Sequence, residues 1–208
     1  MDLLINKPKK TFSTLIFAHG AGAPMDSDWM NSVSKLFEDL NVRVIRFNYP
    51  YMKRRELEGR KFPPDRGEKL IKHTQDVINY ILEEELWEGK LFIGGKSMGA
   101  RIGCMVEHEL LAGNICFGFP FLPPGRTDLK RLEILNKANR PTLINQGERD
   151  PFGGREWLEN QKLSANIELN YIGDGDHDLK PRVRSGLTKQ ENLTKSVADS
   201  VRFIKSKF

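Results

Sequence analysis

Cysteine is scarce in this chain, with two residues among 208, Cys104 and Cys116. That excludes a disulfide-stapled scaffold and a cysteine-rich zinc site. Both sit among apolar residues and read as buried free thiols of a reducing, cytoplasmic compartment. Histidine is nearly as rare, with four residues, so chemistry that needs an imidazole has few candidates. No apolar run approaches the roughly 20 residues of a membrane span. The opening residues Met1 to Pro8 lack the long apolar core of a signal peptide. Internal repeats and low-complexity blocks are absent. What remains, 38% hydrophobic residues with three Trp and twelve Phe, fits one globular domain over residues 1–208.

The net charge is +5. Basic residues cluster at Lys53-Arg54-Arg55, Arg60-Lys61 and Lys180 to Arg184. Acidic residues are interleaved with them and no nucleic-acid motif is present, so a solvated face is the expected reading. Neither a nucleic-acid nor a membrane partner is expected. Attraction of an anionic substrate stays open.

Short apolar runs alternate with amphipathic segments. Strands are predicted at 14–18, 42–47, 91–94, 114–118, 142–145 and 167–171. Most are continuous Val, Ile, Leu and Phe, as expected when both faces of a sheet are covered. Between them, Leu70, Thr74, Val77, Ile78, Ile81 and Leu82 mark the inward stripe of a helix with a capped start at 65–68. The last helix opens on a capping box, Thr188-x-x-Glu191, followed by Leu193, Val197, Val201 and Ile204. The alternation predicts an α/β fold, a mostly parallel, doubly wound sheet with helices on both faces. Two segments, 49–64 and 119–126, are Pro-rich and irregular; each follows the carboxyl end of a predicted strand, where open α/β sheets bind ligands.

One pentapeptide stands out. Gly95-Lys96-Ser97-Met98-Gly99 joins the apolar run 90–94 to a predicted helix start at Ala100. Strand, Gly-x-Ser-x-Gly and helix make the nucleophile elbow of the α/β-hydrolases. The serine sits on a strained turn, and its flanking positions pass so close to backbone that glycine fits best.

A serine nucleophile needs a base, and the base needs an acid to hold its tautomer. His73 and His108 fall in predicted helices and read as solvated; His19 ends the first strand and reads as structural. His177, in Gly173-Asp174-Gly175-Asp176-His177-Asp178 after the last strand, is the candidate base. Asp150 lies just past the strand at 142–145, with Glu148 as fallback acid. The order Ser97, Asp150, His177 is that of the α/β-hydrolases. Asp174, Asp176 and Asp178 do not make a calcium loop, because Leu179 and Ser185 stand where an EF-hand needs Gly and Glu. No metal and no cofactor is called for. The oxyanion donors expected are the amide of Met98 and that of Ala21, with Gly22 as runner-up. Arg101, Arg54 and Arg66 are candidates for a substrate rim.

The ordered set of segments 17–26, 46–51, 63–66, 94–99, 146–153 and 174–181 resembles a small dienelactone-hydrolase-like group of α/β-hydrolases. That group includes uncharacterised bacterial hydrolases, testis-expressed relatives and a subunit of a histone-acetyltransferase complex. The resemblance spans roughly residues 12–207, with Ala100 departing where the group has a second glycine. It implies a Ser-Asp-His site in a fold without a separate cap domain. The resulting expectation is a serine hydrolase acting on a small-molecule ester, thioester or lactone, with short acyl groups preferred. The alternative is a non-catalytic binding or scaffold protein that keeps the fold.

Overall fold

The computed structural model describes all residues except Pro124, Arg126 and Thr127, so part of the second irregular segment lies outside the described residues. Seven strands form one sheet: β1 (Leu3–Asn6), β2 (Ser13–Ala18), β3 (Val42–Phe47), β4 (Lys90–Lys96), β5 (Leu111–Phe117), β6 (Thr142–Gly147) and β7 (Ile167–Ile172). Their spatial order is β1-β3-β2-β4-β5-β6-β7. All neighbours run parallel except β1, which pairs antiparallel with β3 from Leu3 opposite Phe47 to Asn6 opposite Val44. The helices are α1 (Asp28–Asp39), α2 (Pro50–Glu58), α3 (Gly67–Glu83), α4 (Met98–Met105), α5 (Lys130–Asn136), α6 (Arg155–Leu158) and α7 (Lys189–Lys205).

The five central strands, β2 to β6, are buried on both faces while the edge strands β1 and β7 are partly exposed, and strand alternation sorts the side chains between two layers. On β2, Leu15 and Phe17 point into a core shared with Trp29, Val33 and Phe37 of α1 and Leu193, Val197 and Ile204 of α7. Ile16 and Ala18 point the other way, into a core with Leu70, Val77 and Ile78 of α3 and Ile102 of α4. Beyond β5, Ala100 and Cys104 of α4 meet Cys116, Leu132, Leu135 and Ile144. The two thiols are buried with sulfurs 3.5 Å apart and are not bonded to each other. Ala100 is fully buried in that cluster, so its methyl group fills space that the expected glycine would leave empty.

The predicted doubly wound sheet is the one observed, but several elements differ from the sequence reading. β1 was not foreseen, because a four-residue edge strand has too little periodicity to register. The first irregular segment contains a helix, α2. Pro50 stands at its first position, where no intrahelical N–H is needed, and Gly59 closes it in the left-handed region at φ 64°. His108 lies past the end of α4 rather than within it, and His73 is half-buried, with Nε2 3.2 Å from the Asn48 carbonyl. α3 begins at Gly67 without a side-chain cap. Among the described residues, no helix is long and apolar enough to cross a membrane, and no group of side chains could hold a metal ion.

The predicted capping box of α7 is formed. Thr188 Oγ1 accepts from the Glu191 amide at 3.1 Å, and the Glu191 carboxylate accepts from the Thr188 amide at 2.7 Å. Thr188→Ala should therefore lower unfolding stability by about 1 kcal/mol, read as a shift of the urea midpoint without change of slope.

Candidate active site

β4 runs on through Lys96 and hands the chain to α4 at Met98, so Ser97 occupies the turn between them. Its backbone is held at φ 52°, ψ −111°, a conformation costly for a residue with a side chain. Neighbouring backbone enforces it. The Ser97 amide donates to the Phe117 carbonyl of β5 at 2.9 Å, and the Ser97 carbonyl accepts from the Arg101 amide at 3.1 Å. A Cβ at Gly95 would stand 2.2 Å from the Ala18 carbonyl oxygen, and one at Gly99 would stand 2.4 Å from the same atom. Any other residue at either place would push β4 and α4 away from β2.

The structure brings Ser97, His177 and Asp150 into one hydrogen-bonded chain. Ser97 Oγ lies 2.9 Å from His177 Nε2, and His177 Nδ1 lies 2.8 Å from Asp150 Oδ2. A carboxylate only accepts, so Nδ1 carries the proton and Nε2 is free to accept from the serine hydroxyl. The Asp150 side chain is 0% exposed and that of His177 is 21% exposed. Asp150 also accepts from the Phe152 amide at 2.8 Å and from Gln146 Nε2 at 3.0 Å. Glu148 does not reach His177. It accepts from Arg155 and from the Asp174 amide, each at 2.8 Å. That amide, followed by the Arg155 guanidinium, holds its carboxyl below the usual range.

The loop bearing His177 is shaped by its own aspartates. Asp176 Oδ1 accepts from the amides of Asp178 at 2.8 Å and Lys180 at 2.9 Å. Asp174 accepts from the Arg182 amide at 2.7 Å and pairs with Arg149 at 3.1 Å. Lys96, the variable residue of the pentapeptide, fastens this loop to the elbow. Its Nζ lies 2.6 Å from Asp178 Oδ1 and 3.3 Å from the His177 carbonyl, and it sits over the Trp29 ring at 5.4 Å.

Across the cleft from this loop, residues 19–23 follow β2. His19 is fully buried; its Nε2 accepts from the Tyr49 amide at 3.1 Å, and its Nδ1 lies 2.6 Å from the Gly20 carbonyl. Burial pushes its pKa down to about 4 against the partial opposition of that carbonyl. The next carbonyl, of Ala21, accepts from the Tyr51 hydroxyl and from Arg55, each at 3.2 Å. Arg55, from a basic cluster expected to be solvated, and Tyr51 thus fix the carbonyls of this loop. Neither the Ala21 nor the Met98 amide donates to backbone among the described residues, and both residues line the cleft.

The cleft encloses about 740 Å³. Its wall includes Ser97, Met98, His177, Trp29, Phe152 and Arg101. Of the three arginines expected at a rim, Arg54 and Arg66 are not in this wall. Arg54 is drawn to Asp65 at 2.9 Å and lies over Phe62, while Arg66 is exposed at the start of α3. Arg131, which the sequence reading did not single out, is in the wall.

A serine hydroxyl hydrogen-bonded to an imidazole that is itself held by a buried carboxylate can be activated for attack on a carbonyl. Amides at the start of α4 and on the loop after β2 suit the negative charge that such an attack develops. The alpha/beta hydrolase domain family matches this chain over residues 11–205. The fold is similar to that of an alpha-beta serine hydrolase homologue from Coxiella burnetii, at 19% identity and TM-score 0.69, covering 95% of this chain and 90% of that one. It is similar to an α/β serine hydrolase without a lid from Xanthomonas campestris, at 18% identity and TM-score 0.67, covering 97% and 88% of the two chains. It is also similar to dienelactone hydrolase from Anabaena variabilis, at 15% identity and TM-score 0.68, covering 96% and 88%.

The state of His19 yields a pH prediction. Its pKa is about 4 folded against about 6.5 unfolded, so between these values the unfolded chain binds more protons. The stability held above pH 6.5 is therefore lost as pH falls to about 4, by on the order of 3 kcal/mol from this residue. Urea unfolding between pH 7 and pH 4 should show a steeper loss for the wild type than for His19→Asn.

Proposed function

The chain belongs to the alpha/beta hydrolase domain family, and on that footing we propose that it is a serine hydrolase cleaving a small ester, thioester or lactone through an acyl-enzyme. The observation that carries the proposal is the Ser97–His177–Asp150 hydrogen-bonded chain, opening on a cleft of about 740 Å³. In this reading Ser97 Oγ attacks the substrate carbonyl carbon while His177 Nε2 takes the hydroxyl proton. Asp150 keeps the accepting nitrogen turned toward Ser97 and supports the imidazolium. The amides of Met98 and Ala21 bind the oxyanion. As the tetrahedral intermediate collapses, the bond to the leaving group breaks and His177 returns the proton to it. Water, deprotonated by His177, then releases the acid and restores Ser97.

A fluorophosphonate probe tests the site without knowledge of the substrate. It should form one adduct, on Ser97, seen by peptide mass spectrometry, lost in Ser97→Ala and strongly slowed in His177→Ala. A folded protein that stays unlabelled would favour the scaffold alternative. Asp150→Asn should lower kcat by up to about 10⁴-fold, because it favours the wrong imidazole tautomer. Glu148→Gln should do far less, and the reverse ranking in steady-state assays would reassign the acid.

The cleft volume lies within the range of small-molecule sites, and no inserted domain covers it among the described residues. Acetate and butyrate esters should therefore turn over faster than long-chain esters. A chain-length series of 4-nitrophenyl esters measures this directly.

A further inference from the structure

Most buried or half-buried arginines of this chain have strong acceptors. Arg43 pairs with Glu88 and donates to the Leu86 carbonyl. Arg46 donates to the Met25 carbonyl, Asn31 and Asn6. Arg140 has Glu107 and the carbonyls of Gly103 and Val106. Arg101 differs. Among the described residues its guanidinium makes one weak hydrogen bond, 3.6 Å to the Met105 thioether, and no ion pair. It is half-buried one helical turn beyond Ser97, in the wall of the cleft.

Arg131 is in the same wall and is also half-buried without an ion pair among the described residues. Its Nη1 is fixed by the carbonyls of Pro120 at 3.0 Å and Leu122 at 3.2 Å. Those bonds anchor the side chain, and among the described residues Nε and Nη2 have no acceptor and are not shut off from solvent. Pro120 lines the cleft too, so Arg101, Arg131 and the residue whose carbonyl anchors Arg131 belong to the lining of one cleft. Burial weakens the hold of each on its proton; for Arg131 the nearby Arg101 charge adds to this, and the Asp128 carboxylate, which makes no ion pair with it, opposes it in part. Two like charges placed together and partly desolvated are unfavourable unless an anion joins them. The cleft's carboxylates do not serve. Asp65 is taken by Arg54 and Lys69, Asp178 by Lys96, and Asp28 is exposed at the start of α1, paired with neither arginine.

We propose that Arg101 and Arg131 form an anion subsite of the cleft, so that the ester cleaved at Ser97 carries a second, unreacting carboxylate. The inference rests on the hydrolase reading above. A carboxylate accepts two parallel N–H bonds from a guanidinium, which makes arginine the fitting donor. The carboxylate can belong to the acyl half or to the leaving group.

Two substrate pairs separate these halves: mono-4-nitrophenyl adipate against its methyl ester, and 3-acetoxybenzoate against methyl 3-acetoxybenzoate. In one pair at least, the anionic ester should show a kcat/KM about tenfold or more above its neutral partner, through a lower KM that rises with salt. Arg101→Gln and Arg131→Gln should each cut that ratio about tenfold. Arg131→Lys should keep part of it, and Arg66→Gln, which removes an exposed charge outside the cleft, should leave it unchanged. Urea unfolding of each variant checks the fold. A ratio near one in both pairs, or one that neither glutamine variant changes, would overturn the subsite while leaving the hydrolase reading intact. Should none of the four esters turn over, calorimetric titration with adipate and benzoate reads the subsite directly. Binding lost in Arg131→Gln would support it, and absence of binding to the wild type would overturn it. Fluorophosphonate labelling of Ser97 reports separately on the hydrolase reading.

Discussion

The close passage of backbone around Ser97 is the constraint on which the rest of this structure depends. β4 must turn into α4 within one residue, directly against the carboxyl end of β2. The Ala18 carbonyl lies so near Gly95 and Gly99 that neither position has room for a Cβ. Ser97 is held in a sparsely populated backbone conformation, which costs on the order of 1–3 kcal/mol. Only a packed sheet can hold such a turn. The apolar residues of β2, β4 and β5, buried on both faces, supply that packing, and the Phe117 carbonyl fixes the turn from the side.

From that turn the site is assembled by contacts that each restrain one loop. Gly147, at the end of β6, would place a Cβ 2.2 Å from the Asp176 carbonyl, so the Asp150 and His177 loops pass in close contact. Gly118, at φ 58° after β5, gives the His177 backbone similar clearance. Lys96 ties the His177 loop back to the elbow, while His19, Tyr51 and Arg55 fix the carbonyls of the loop after β2. The proposed nucleophile, base, acid and oxyanion donors thus come from four strand ends and are aligned by neighbours outside the chemistry. Such support is what preorganised sites require, since small displacements of the reacting groups cost rate steeply.

Charge in the cleft is distributed unevenly. Lys96 is neutralised within its own clamp and Asp65 by two cations, whereas Arg101 and Arg131 share one side with no carboxylate partner among the described residues. The basic clusters that dominate the sequence, by contrast, largely fold into ion pairs or against carbonyls. Lys53 goes to Asp2, Arg54 to Asp65 and Arg60 to Glu58, while Arg55 is absorbed by the carbonyls of Phe62 and Ala21. Density of charge along the chain was therefore a poor guide to where charge is left available.

The sequence by itself determined the parallel sheet, because runs such as Leu15-Ile16-Phe17 and Leu91-Phe92-Ile93 are soluble only when both faces are covered. It marked the elbow, through Gly-x-Ser-x-Gly between a strand and a helix, although what bars a side chain at 95 and 99 is the Ala18 carbonyl of β2, and it determined the α7 start, because a capping box is closed within four residues. It also pointed to Ser97, Asp150 and His177, since strand ends in an α/β sheet gather on one edge. The tertiary structure decided what depends on distant partners. α2 was hidden by its prolines and charges, and β1 by its shortness; both are stabilised by what they pack against. That Asp150 rather than Glu148 meets His177 depends on how the strand-end turn directs two carboxylates on neighbouring faces. Arg131 reaches the cleft because the carbonyls of Pro120 and Leu122 hold it there, Arg54 is drawn to Asp65, and Arg66 stays exposed at the start of α3; each outcome is set by how the loops fold back, which charge along the chain does not show.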